Sequence, residues 1–349
     1  MSPTSGVNAT ECPPYYIPTT QQYLSETDVY GITLITAGTV PVLVVLALFV
    51  DTLFYIMKNA SPRVKTHSAF VIGVYPVVSL VTYLAILVPR AHLLAEAITQ
   101  GMFMSGMYQL FCLFVAYCGG EANLVEKVKP NTLRLQAPPC CCWPCCFFLP
   151  DCRVTKSTLR SLRLLVLQLP VVQGLVYLIL LVMWAERESL YQVNYLYLQP
   201  IVFLSIVLGI WSMSMLIRLL KANLDQEYLL FGKFLVLQLV LVFAKLQGLI
   251  FRVLVSNGIF PCRSPITPQV YANLIHNTLM LSEMILLGAL ARRLYKRQLP
   301  DIDTDVISIS TIGRMMEKGN INNNDNISSN LNSKLSKCGI DNTGAEIDL

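Results

Sequence analysis

The residues able to do chemistry stand in two stretches that are otherwise apolar. Residues 233–256 carry Gln238, Lys245 and Arg252. A spacing of seven returns a helix to nearly the same side, so the three form one stripe over about four turns. Residues 269–292 carry Asn273, His276, Asn277 and Glu283, with His276 and Glu283 again seven apart. Counted from the ends of their stretches, Lys245 and Glu283 differ in depth by about one turn, which predicts an ion pair. The same count puts Arg252 and Glu96 both near the outer surface, and Asp51 near the inner one, within reach of Lys233. A charge inside a bilayer costs about 2.5–3.5 kcal/mol and seldom faces lipid. Two cations on one face against one mid-depth acid leave a positive surplus, which suits an amphipathic organic anion. Lys245, Arg252, Glu283, His276, Glu96 and Gln238 are therefore the candidate substrate path. The blander reading makes these charges internal ties of a helix bundle, and for Asp51 that reading is preferred.

The elements that must position these residues are membrane spans. Of 349 residues, 54% are hydrophobic and 13% charged, where soluble domains carry about a quarter charged. Crossing a hydrocarbon core takes about 20 mostly apolar residues. Seven blocks reach that length, at roughly 32–57, 68–88, 93–117, 162–184, 195–218, 233–256 and 269–292. The expected fold is an all-α bundle of seven transmembrane helices. It comprises an external tail (1–31), the membrane domain (32–297, with a Cys-rich loop at 118–161) and a disordered tail (298–349). Blocks two and three are joined only by a turn at Pro89-Arg90. Pro41, Pro76, Pro170 and Pro200 lie inside blocks, which packed membrane helices tolerate.

Orientation follows from the basic residues. With the N-terminus outside and the C-terminus cytoplasmic, 21 of the 26 Lys and Arg fall on the cytoplasmic side. Only Arg90, Arg187 and Arg263 fall outside. No basic n-region opens the chain, so no cleavable signal peptide is expected. The net charge of +5 is spread over short loops and gives no folded basic face for nucleic acid. Asn8-Ala9-Thr10 is a glycosylation acceptor on the exposed side.

The cysteines divide by compartment. Cys12 and Cys262 lie outside, where an oxidising environment permits a disulfide between them. Cys112 and Cys118 read as packing residues. Cys140, Cys141, Cys142, Cys145, Cys146 and Cys152 cluster around Pro-Pro-Cys-Cys-Cys-Trp-Pro-Cys-Cys. A zinc site is one reading, but no histidine is near and adjacent thiolates cannot all face one tetrahedral ion. Reversible S-acylation is preferred, because juxtamembrane cysteines among aromatic and basic residues are acceptors of palmitate. No other cofactor and no metal is expected. The three histidines, His67, His92 and His276, are scattered, so no enzyme is expected.

The order of several motifs is distinctive. Pro89-Arg90 and Glu96 precede Gly119-Gly120-Glu121 at the end of the third span, and the cysteine run follows. Lys233-Phe234, Glu283 and Arg292-Arg293-x-Tyr295 complete the pattern. Over about residues 30–297 this resembles the alpha subunit of the organic solute transporter. Trp143-Pro144 interrupts the cysteine run, which bears on how many cysteines are acylated. The resemblance implies gradient-driven, bidirectional transport of bile acids, conjugated steroids and similar amphipathic anions. It implies an obligate single-span beta subunit, contact with membrane lipid, and the basolateral plasma membrane, and it is compatible with a homo-oligomer of such heterodimers. A seven-span receptor is the alternative. Against it, the third span ends in Cys-Gly-Gly-Glu without an acid-Arg-aromatic triplet, and the seventh lacks Asn-Pro-x-x-Tyr.

Overall fold

Each apolar block folds into one long helix, since a backbone without water must satisfy its polar groups internally. The computed structural model describes residues 20–25, 29–128, 132–133, 135, 152–186, 188–260 and 267–297. Its elements are α1 (Thr20–Ser25), α2 (Val29–Asn59), α3 (Pro62–Leu87), α4 (His92–Tyr117), α5 (Glu121–Val128), β1 (Thr132–Leu133), β2 (Cys152–Arg153), α6 (Lys156–Glu186), α7 (Glu188–Tyr228), α8 (Leu230–Ser256) and α9 (Pro268–Tyr295). A single 3-10 turn, Pro89–Ala91, joins α3 to α4, as expected of the Pro-Arg pair. Among the described residues, seven helical segments are long and apolar enough to cross a membrane. They are Thr36–Asn59, Pro62–Leu87, Pro89–Tyr117, Lys156–Glu186, Tyr197–Lys221, Leu230–Ser256 and Pro268–Tyr295. All four internal prolines sit within helices, in α2, α3, α6 and α7.

The outward faces are apolar too. Leu43, Phe54, Leu178, Phe203, Leu249 and Leu286 are exposed, which a lipid solvent permits and water does not. Packing therefore relies on close fit. α3 and α4 are the most buried spans, α3 in contact with α2, α4 and α9 and α4 with α3, α6 and α8. α4 contributes Phe103, Met104, Met107, Leu110, Phe111 and Phe114 to the main core, all nearly inaccessible. Gly106 lets α4 approach its neighbours: a Cβ there would stand 2.9 Å from a Val74 methyl carbon. Gly209 does the same between α7 and α6, where a Cβ would overlap the Leu169 side chain. Small residues at helix crossings are the usual means of tight packing in lipid. α7 and α8 differ from these pairs. Leu229 joins them in the left-handed region (φ 48°), and the two helices share little surface.

The Gly-Gly-Glu motif ends α4. Gly119 and Gly120 both have positive φ, 84° and 109°. Their amides donate back to Ala116 (3.0 Å) and Val115 (3.1 Å), the two bonds of a Schellman cap. Glu121 then starts α5 and accepts from Arg163 of α6 at 3.0 Å, while Arg163 also donates to the Tyr108 hydroxyl. The short antiparallel β1–β2 ladder pairs Leu133 with Cys152. It lies against the same end of the bundle, where Trp211 of α7 donates to the Leu135 carbonyl at 3.0 Å.

Candidate functional site

The weak contact between α7 and α8 leaves space. A cavity of about 660 Å³ lies among α4, α7, α8 and α9, with contributions from α3 and α6. That volume is in the range of small-molecule sites. It extends inward from the Pro89 end. Along α4 the lining runs His92, Glu96, Gln100, residues four apart on one face. Along α8 it runs Arg252, Leu249, Gly248, Lys245, and along α9 it runs Gln269, Asn273, His276 and Asn277 to Met280. Beyond Met280 the core of α3, α4, α8 and α9 closes the bundle. Phe203 and Leu249 line the cavity and are also 67% and 60% exposed, so its wall at α7 and α8 reaches the outer surface.

A three-membered network crosses the middle of this space. Lys245 Nζ lies 3.5 Å from Glu96 Oε1 and 3.3 Å from the Tyr177 hydroxyl, which itself donates to Glu96 Oε1 at 3.1 Å. One carboxylate oxygen thus holds both groups, and α6 and α8 are each tied to α4. Arg252 lies near enough for its charge to act on Glu96 and His92. The His276 and Phe251 rings meet in a T-shaped contact with centroids 5.7 Å apart. The charged residues lining the cavity are Arg90, Lys245, Arg252 and Glu96. Among the described residues, three basic side chains and one carboxylate give a surface that is positive overall while much of the wall is apolar.

Lys245, Arg252, His276 and Glu96 meet at this cavity; Gln238 and Glu283 do not line it. The expected Lys245–Glu283 pair is replaced by Lys245–Glu96, and Glu283 instead accepts from Gln247. The depth count was sound, but depth says nothing about direction around the axis. Gln247 follows Lys245 by two residues, about 200° around the helix, so Gln247 faces α9 while Lys245 faces α4 and α6. Gln238 lies further along α8, and its Oε1 is buried without a partner. Asp51 pairs with Arg292 at 2.5 Å and Lys296 at 2.7 Å rather than with Lys233. Lys233 turns inward, donates to the Tyr117 hydroxyl at 2.7 Å and sits over the Tyr117 and Tyr295 rings.

Sequence reasoning missed Tyr177, Arg90 and Gln100. The four-residue spacing of His92, Glu96 and Gln100 was a readable polar stripe; nothing in sequence pointed to Tyr177 among many membrane tyrosines. Cys118 is buried and donates to the Phe114 carbonyl, and Cys112 is half-buried, as packing residues are. Cys152 stands in β2. Asn8, Cys12, Cys262, Cys140, Cys141, Cys142, Cys145, Cys146 and the tail from residue 298 lie outside the described residues. Among the described residues no group of His, Cys, Asp and Glu is arranged to hold a metal ion.

A seven-helix membrane bundle enclosing a cationic, partly apolar cavity defines a multi-pass membrane protein equipped to hold an organic solute. Residues 33–299 match the family model described as organic solute transporter Ostalpha, so the chain belongs to that family, which is one of transporters and not of enzymes. It is 28% identical over 279 residues to the organic solute transporter alpha-like protein of Drosophila melanogaster, covering 80% of this chain and 84% of that one. It is 24% identical to organic solute transporter subunit alpha of Danio rerio (79% and 85% covered) and of Bos taurus (81% and 84%). No solved structure matches the chain.

Proposed function

We propose that this chain carries amphipathic organic anions, bile acids and conjugated steroids among them, down their own gradients and in either direction. The observation that carries the reading is the cavity, whose lining pairs apolar walls with three cations and one carboxylate among the described residues. A ligand with a hydrophobic body and one acidic head would bury the first and neutralise the second. The relatives' name, subunit alpha, supports a second subunit, which we take to be a single-span beta chain. The receptor reading is not favoured, because the family match is to transporters.

The charge bias supports an external N-terminus and a cytoplasmic C-terminus, and the family resemblance supports residence in the plasma membrane, basolateral in polarised cells. On that topology the cavity faces outward, Asn8 carries glycan, Cys12 and Cys262 share the oxidising side, and the cysteines from Cys140 to Cys152 carry palmitate.

The test is uptake of a labelled steroid sulfate in cells expressing this chain with and without a beta-subunit partner. Saturable uptake with the partner is expected, weakened by Arg252→Ala while surface labelling persists. Uptake that stays at background in both cells overturns the reading.

A further inference from the structure

The inner end of the cavity has a chemistry that the cations do not account for. Eight buried side-chain atoms among the described residues lack a hydrogen-bond partner. Three are nitrogens: Gln100 Nε2, His276 Nδ1 and Asn277 Nδ2. All three belong to residues that line the cavity, whereas none of the five residues with orphaned oxygens does. Gln100 and Asn277 are only 3% and 6% exposed. Each orphan costs free energy, and such groups are rare enough in folded proteins to call for an explanation.

Their position supplies one. Gln100 stands two turns inward of His92 on α4, and Asn277 stands eight residues inward of Gln269 on α9, a depth of about 12 Å. Arg90, His92 and Arg252 mark the outer rim. The cavity thus has a charged mouth, apolar walls that include Leu93, Ile206 and Phe251, the Lys245–Glu96 pair part of the way in, and neutral polar side chains at its inner end. The separation of mouth and inner end is about the length of a fused-ring steroid.

Building on the transport reading above, we propose that Gln100, His276 and Asn277 form a hydrogen-bonding subsite for the uncharged end of the substrate. The preferred ligand is an amphipathic anion whose end opposite the acid carries a hydroxyl or carbonyl oxygen. A carbonyl oxygen accepts from the amide NH2 groups; a hydroxyl satisfies an amide in either orientation and either tautomer of the imidazole. An anion that is hydrocarbon at that end leaves the orphans unpaired and is disfavoured.

The experiment compares two sulfates in cells expressing the chain and its partner subunit: a steroid 3-sulfate with a 17-keto group and the same sulfate without it. The ratio of their half-saturation concentrations is the readout. The expected ratio is about tenfold in favour of the keto sulfate, the scale of one or two net hydrogen bonds. In Gln100→Met/Asn277→Leu, which keeps side-chain volume, the ratio falls towards one. Should that variant fail to reach the surface, His276→Phe is expected to lower the ratio in the same direction. A wild-type ratio of one, with both sulfates carried, overturns the subsite and leaves the transport reading standing. A ratio unchanged in every variant that reaches the surface also overturns it. Transport of neither sulfate overturns both.

Discussion

Lys233 and Lys245 stand on the same helix, twelve residues apart, and have opposite surroundings. Lys233 is 3% exposed, hydrogen-bonded to Tyr117 and sandwiched between the Tyr117 and Tyr295 rings, with Tyr228 stacked on Tyr117. The groups that hold it are aromatic faces and one hydroxyl, a neutral cage in which a cation replaces some of its lost hydration by quadrupole attraction. Lys245 is half-buried, shares Glu96 with Tyr177 and borders open space. The first lysine has been absorbed into the packing of the Gly119 end, where the Schellman cap, Glu121–Arg163 and Asp51–Arg292–Lys296 also lie. The second remains accessible at the Pro89 end. A charge in a membrane helix is therefore not a functional residue by type alone; whether a cavity reaches it decides.

The largest effect that would sharpen this contrast is on Lys233. Lys233→Ala removes a buried stem and its ammonium together, and a loss of about 2–5 kcal/mol of stability is expected. A fall in the melting temperature of the detergent-purified protein measures it, and Lys233→Met should recover part of the fall by refilling the cage. A Lys233→Ala protein that melts like wild type would break the comparison. Next, Lys245→Ala is expected to leave stability within about 1 kcal/mol, as a partly exposed ion pair does. Its transport of a steroid sulfate should drop about tenfold, the scale of one charge-assisted hydrogen bond. Normal transport with lowered surface expression would make Lys245 a second structural lysine. The smallest effect is expected at the exposed Asp51. Asp51→Asn should leave both melting and uptake unchanged within error, despite the short contacts to Arg292 and Lys296.

The motifs that carried the family resemblance were legible, but their meaning was not. Gly119-Gly120 could be recognised as a pair; its role as the αL end of α4 depended on where the helix stopped. Lys233 and Tyr295 were both visible in familiar motifs, yet nothing in a linear pattern placed one over the other. Arg292 lay in the same motif as Tyr295 and pairs with Asp51, 241 residues away. The substrate-path stripe of Lys245 and Arg252 was legible because a spacing of seven survives any packing of the helix. The partner of Lys245 was not, since it comes from α4.

By itself, the sequence determined what depends on one helix at a time: seven spans, the turn at Pro89-Arg90, the prolines inside helices and the face shared by Lys245 and Arg252. Local periodicity and length suffice for these, because a lipid-embedded backbone has few conformations open to it. Only the tertiary structure decided which faces meet. The rotation of each helix about its axis, set by close fits such as those at Gly106 and Gly209, sent Lys245 to Glu96, Glu283 to Gln247 and Lys233 into an aromatic cage. It also left α7 and α8 far enough apart for a cavity to form between them and α4.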